Sequence, residues 1–112
     1  MKDTLYILWT NADPITSELM VCRYSEKAIL DHWWGEVTVI IWGATAKLVA
    51  ENPTIQKRLR EISDNGVCVS ACKTCADTLG VADKISELGI ELKYWGAPLT
   101  EIIKGNEKLI TV

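Results

Sequence analysis

Gly66-Val67-Cys68-Val69-Ser70-Ala71-Cys72-Lys73-Thr74-Cys75-Ala76-Asp77 carries the chain from a strand into a helix. Asn65-Gly66 closes the helix before it, because glycine accepts the left-handed conformation at a helix end. Val67 to about Ala71 is short, apolar and free of proline, which predicts a buried strand. A helix begins near Cys72. The strand-to-helix junction therefore falls on Cys72-Lys73-Thr74-Cys75, a CxxC.

The same alternation extends in both directions. Upstream, Thr4 to Trp9 reads as a strand. Asp13 is an N-cap, and Pro14 stands where a first helical residue belongs. Apolar residues at Ile15, Leu19, Cys22, Ile29 and Trp33 recur at helical spacing, and this helix ends between Asp31 and Trp34. Glu36 to Trp42 is the second strand, and Gly43 breaks it. Ala44 to Glu51 and Thr54 to Ser63 are helices split by Asn52-Pro53. Downstream of the junction the helix is interrupted at Gly80, resumes over Val81 to Leu88 and stops at Gly89. Ile90 to Trp95 is the fourth strand. Gly96-Ala97-Pro98 opens a helix to about Lys104, and Glu107 to Thr111 is a last strand. Strands alternating with helices predict an α/β fold, a three-layer α/β/α sandwich around a five-stranded, mostly parallel sheet.

A chain of 112 residues is the size of one domain, here 1–112, and long enough to bury its own core. The net charge is −3 and no Lys/Arg block exceeds a pair, which argues against a nucleic-acid surface. The longest apolar run, Val37 to Trp42, is far short of the ~20 residues that span a bilayer. Met1-Lys2-Asp3-Thr4 leads straight into a strand without a signal-peptide pattern, so the expected compartment is the cytoplasm. Reducing conditions there favour free, catalytic or metal-bound thiols over structural disulfides.

Five Trp and four Cys stand out against this background. Trp9, Trp42 and Trp95 end strands, and Cys72 lies just past the end of another. In a parallel sheet these ends share one edge, outside which ligands bind. Three indoles and a thiol are thus expected on one rim, joined by Asn11, Gly43 and Lys73 as pocket candidates. The plain alternative is that the indoles plug the core. Trp33 and Trp34 are expected in the core or at a subunit contact.

A helix N-terminus favours a thiolate, the reactive form of cysteine, and Lys73 adds positive charge that Asp77 partly opposes. The CxxC fits a redox dithiol, half of a zinc site, or a nucleophile with a resolving partner. Zinc needs four ligands. In an extended strand Cys68 lies roughly 13 Å from Cys72, too far to share an ion or a disulfide. No metal and no cofactor are expected. Cys22 and Cys68 are expected to be buried packing residues. His32 falls at a helix end, which leaves the thiols without an obvious histidine base.

The chain resembles the DsrE/DsrF-like family of small sulfur-trafficking proteins over essentially its whole length. The residues that carry the resemblance are Leu5-Tyr6-Ile7-Leu8-Trp9, Val37-Thr38-Val39-Ile40-Ile41-Trp42-Gly43, the Gly66 to Asp77 stretch, Gly80-Val81 and Gly96-Ala97-Pro98-Leu99-Thr100. The Ala-Cys-x-x-Cys-Ala-Asp pattern is similar to the family's small single-domain branch. The resemblance implies a three-layer α/β/α fold with a five-stranded parallel sheet and assembly as a dimer, trimer or hexamer. In the family's sulfur carriers a cysteine after the third strand, eight residues before a Gly-Val, holds sulfane sulfur as a persulfide. Cys72 stands at that position before Gly80-Val81. The implied role is a sulfurtransferase-like persulfide carrier, and the implied partners are sulfur donor and acceptor proteins or small sulfane-sulfur compounds. Cys75 and Asp77 are additions to the carriers' pattern. Two other functions fit the residues: dithiol redox exchange on Cys72 and Cys75, and a non-catalytic module whose Trp-lined rim binds a small ligand or a protein.

Overall fold

A computed structural model describes residues 3–112; Met1 and Lys2, part of the N-terminal reading, lie outside them. The elements are β1 (Thr4–Trp9), a continuous helical rod of α1 (Pro14–Thr16), a π-helical stretch (Ser17–Cys22) and α2 (Arg23–Leu30), then β2 (Glu36–Ile41), α3 (Ala44–Glu51), α4 (Pro53–Asp64), β3 (Cys68–Cys72), α5 (Lys73–Thr78), α6 (Ala82–Glu87), β4 (Glu91–Lys93), α7 (Gly96–Lys104) and β5 (Lys108–Thr111). The Asp13 carboxylate caps α1, accepting the N–H groups of Ile15 and Thr16 at 2.8 and 2.9 Å. The side-chain oxygen of Asn52 does the same for α4, accepting Ile55 N–H at 3.0 Å. These caps satisfy donors that have no partner inside the helix.

The five strands lie in the order β4-β3-β2-β1-β5. Every neighbouring pair is parallel, with Trp9 level with Ile41, Ile41 with Ala71, and Cys72 with Lys93. The order explains the layers. From β1 to β4 each connection steps the same way to the next strand, and right-handed crossovers then put their helices on one face. The return from β4 to β5 runs back across the sheet, so α7 falls on the other face.

The packing follows. Leu5, Ile7, Trp9, Val37, Val39, Ile41 and Ala71 bury against Val21, Cys22, Ala28, Val49, Ile55, Leu59, Ile62, Ala76 and Ile85 of the thick helical layer. On the opposite face Ile40, Trp95 and Ile102 form a smaller core with Tyr6, Leu8, Trp42 and Leu109 around it. The α/β/α sandwich with its five-stranded sheet is as expected, here all parallel, but its outer layers are unequal. A nine-residue α7 is only about 14 Å long. The starts of the strands on its side, at Thr4, Tyr6, Thr38 and Cys68, therefore stay partly or wholly open.

Three expectations change. Ile15, Leu19 and Trp33 do not mark a buried helix face, being 69%, 52% and 53% exposed. Ser17, Val21, Ser25 and Ala28, at ordinary helical spacing, turn inward instead, and the wider turn of the π-helical stretch brings Cys22 onto the same face. Trp33 sits outside, against Tyr24 and near Lys27. Trp34 does pack against the main core. Cys68, expected to be buried, is exposed because it begins β3 on the uncovered part of the α7 face. Cys22 is fully buried, as expected.

Candidate functional site

Cys72 is both the last residue of β3 and the N-cap of α5. Its backbone is still extended (φ −66°, ψ 114°) while its sulfur turns back to the new helix and accepts Cys75 N–H at 3.4 Å. Cys72 is 3% exposed, whereas Cys75, one helical turn on, is half-buried. The expected helix-terminus activation of Cys72 is outweighed. Burial pushes its thiol above the usual value, the Cys75 and Thr74 N–H groups pull it down, and the neighbouring Cys75 thiol raises it again. Lys73 directs its charge elsewhere: Nζ bonds the Asp77 carboxylate at 2.9 Å and stands 5.7 Å from the Tyr94 ring centre. The hydrogen bond to Asp77 is the main cause that raises the Lys73 pKa.

The indoles at the strand ends do not form one wall. Trp9 is level with Ile41, so Trp42, one residue further, points to the opposite face by the period of two along a strand. Trp9 is fully buried beneath the helical layer, and its Nε1–H donates to the Asn11 carbonyl at 3.0 Å and the Ser17 hydroxyl at 3.1 Å. It plugs the core and lines no open pocket. Asn11 shapes the turn, its side-chain oxygen accepting Asp13 N–H at 2.9 Å. Trp42 and Trp95 share the α7 face. Trp95 is 5% exposed and donates Nε1–H to the Ser70 hydroxyl at 2.8 Å, which in turn donates to Glu91 Oε1 at 2.8 Å. Lys93 Nζ lies 4.6 Å from the Trp95 ring centre. The rim is thus divided by the sheet, with Trp42 and Trp95 on one side and Trp9 inside the other.

The cleft that Cys75 does line is a different one. Gly43, Ala44, Thr74, Thr78 and Leu79 surround it in an open groove of about 350 Å³. Of the pocket residues expected from sequence, only Gly43 joins it. Gly43 has φ +70°, and a Cβ there would stand in open space, so backbone conformation, not crowding, selects glycine. Thr45 anchors this corner: its hydroxyl accepts Trp42 N–H at 3.0 Å and donates to the Trp9 carbonyl at 2.8 Å. Ala44, Thr74, Thr78 and Leu79 escaped the sequence reading. Thr78 and Leu79 were detectable, since they follow Cys75 by three and four residues and so share its helix face.

The remaining thiols stand apart from this corner. Cys22 lies at the centre of the core, where burial above all, with Glu18 adding to it, pushes its thiol up to about 12. Cys68 opens onto a second concavity of about 340 Å³ with Tyr6, Thr38, Ser70, Glu91 and Lys93. Among the described residues no group of three His, Cys, Asp or Glu side chains converges as a metal site. Nor is any helix of the described residues long and apolar enough to cross a membrane.

The sequence matches no protein-family model, and no curated protein matches it. Solved structures do. YchN from E. coli is similar over 100% of both chains at a TM-score of 0.72, and its 18% identity speaks to the fold alone, a DsrE-like one. A conserved protein of unknown function from Bacteroides thetaiotaomicron, BT1422, is similar at a TM-score of 0.95, covering 98% of this chain and 95% of that one. At 37% identity over that length, the chain belongs to the family of BT1422.

Proposed function

We propose that the chain is a DsrE/DsrF-like sulfur-trafficking protein that carries sulfane sulfur as a persulfide on Cys72. The seat of the Cys72 sulfur carries this reading: it is 3% exposed and meets the Cys75 N–H at 3.4 Å at a strand-to-helix turn. A persulfide formed there keeps the Cys75 N–H on its inner sulfur and has little contact with water. The sulfur of a persulfide is also more acidic than a thiol, so burial hinders its ionisation less. In transfer, the Cys72 thiolate attacks the outer sulfur of a donor persulfide, the donor S–S bond breaks, and the donor leaves as a thiolate. An acceptor thiolate takes the sulfur by the reverse step. Donor and acceptor are proteins or small sulfane-sulfur compounds, and the free thiols suit a reducing compartment such as the cytoplasm.

The test uses the chain's own cleavage sites. Trypsin cuts after Lys73, which separates Cys72 from Cys75. In a Cys68→Ser background treated with inorganic polysulfide, the extra sulfur is expected on the peptide ending at Lys73. Cys72→Ser should fail to deliver sulfur to an acceptor thiol. Retained sulfur found only on the Cys75 peptide, or undiminished delivery by Cys72→Ser, removes the assignment.

A second reading, dithiol exchange, draws support from the direct influence of the Cys75 thiol on Cys72. It expects exchange with a test disulfide to be lost in Cys75→Ser. The working unit is taken to be a homo-oligomer, consistent with the open starts of the strands on the α7 face. A particle of 12.5 kDa by light scattering would overturn that part.

A further inference from the structure

We infer that Cys75 is the thiol that first meets the sulfur donor, and that the donor carries an apolar organic group that seats in the cleft between α3 and α5. The inference rests on the carrier reading of Cys72 and adds a receiving thiol and a donor class. Two observations carry it. Cys72 is 3% exposed at the base of the turn, so its sulfur is the less accessible of the two to a bulky donor. Cys75 is half-buried and lines an open groove of about 350 Å³. An enclosed apolar cavity of about 150 Å³ takes benzene, so the groove has room for an aryl or branched alkyl group.

The groove's chemistry is selective. Its lining residues are Gly43, Ala44, Thr74, Cys75, Thr78 and Leu79, none of them charged. The nearby charges of Lys73 and Asp77 are paired with each other. A donor with several charges would lose hydration there and gain no partner, whereas an apolar substituent gains by burial. Leu79, 43% exposed, is the most prominent apolar wall.

The transfer then has two balanced steps. The Cys75 thiolate attacks the outer sulfur of the donor R–S–SH, the donor S–S bond breaks, and RS⁻ leaves and takes up a proton from solvent. The Cys72 thiolate next attacks the outer sulfur of the Cys75 persulfide, and the Cys75 thiolate is regenerated. The sulfane sulfur moves twice without net oxidation or reduction, and no further reactant is needed.

The experiment labels the full-length Cys68→Ser protein with N-phenylmaleimide or its para-carboxylate analogue and maps the tryptic peptides with time. Cys75 should label ahead of Cys72 by about ten-fold or more, in line with its greater access. The uncharged reagent should be preferred over the carboxylate, relative to free cysteine, and Leu79→Glu should abolish the preference. Loading of Cys72 from an aryl persulfide should be about ten-fold slower in Cys75→Ser. Prior labelling of Cys72, or equal rates for the two reagents, overturns the inference. So does an unchanged aryl persulfide rate in Cys75→Ser, which leaves the carrier reading standing. If wild-type Cys72 retains no sulfur from the aryl persulfide or from inorganic polysulfide, the carrier reading falls and takes this inference with it.

Discussion

Cys22 shows what burial, with Glu18 adding to it, does to a thiol. It lies in the core between the helical rod and the sheet, with its thiol pushed from 9.0 to about 12. In the unfolded chain the same thiol ionises at its ordinary value. The folded state holds the proton more tightly, so stability is full below the unfolded value and is lost as pH rises from about 9 towards 12. The loss should approach ~1.4 kcal/mol per pH unit from this residue. Urea unfolding of wild type and Cys22→Ala across that range checks it. The variant starts less stable because of its cavity, but its curve should be the flatter one. Parallel curves would contradict the assignment. Residue chemistry was only partly legible in the sequence. That Cys72 sits at a helix start follows from local pattern. That burial outweighs the helix terminus there depends on the neighbours that close over it.

Elements were mostly legible because their signals are local. Asp13-Pro14 opens a helix and Asp13 makes the expected capping bonds, while Asn52-Pro53, read only as a break, proves to cap and begin α4. Asn52→Ala should destabilise the protein by about 1 kcal/mol, the usual cost of a lost N-cap. Asn52→Asp should retain most of that stability in thermal unfolding. Equal melting temperatures for wild type and Asn52→Ala would show that the cap is idle. The first helical segment was misread for a physical reason. A regular period of 3.6 through Ile15, Leu19 and Cys22 assigns all three to the core, but the π-helical stretch brings Cys22 onto the face of Ser17 and Val21, away from Ile15 and Leu19. No composition signal in Ser17 to Cys22 announces that wider turn. The face that turns inward also carries a tertiary contact, the Ser17 hydroxyl accepting the Trp9 indole N–H.

At the scale of the molecule, the uneven layers set both stability and exposure. Trp95 joins α7 to the sheet through Ile40 and the Ser70 hydroxyl, with no second helix beside it. Trp95→Ala should cost about 3–5 kcal/mol, as for other large buried aromatics. Denaturant unfolding reads it, and a loss below about 1 kcal/mol would mean that α7 is held by other contacts. Leaving Ser70 without its indole donor adds to the cost.

The sequence by itself determined the order of elements, the parallel class of the sheet and the placement of a CxxC at a strand-to-helix junction. These depend on hydrophobic period, caps and glycine positions, which act over a few residues. Tertiary structure decided which faces those elements present. The strand order β4-β3-β2-β1-β5 sends α7 alone to one side, which leaves Cys68 open. A register that sets Trp9 level with Ile41 places Trp9 and Trp42 on opposite faces. Packing of α5 beside α3 makes Cys75, not an indole, a wall of a cleft. Each of these depends on contacts between residues far apart in the chain, where a shift of one position in register reverses inside and outside.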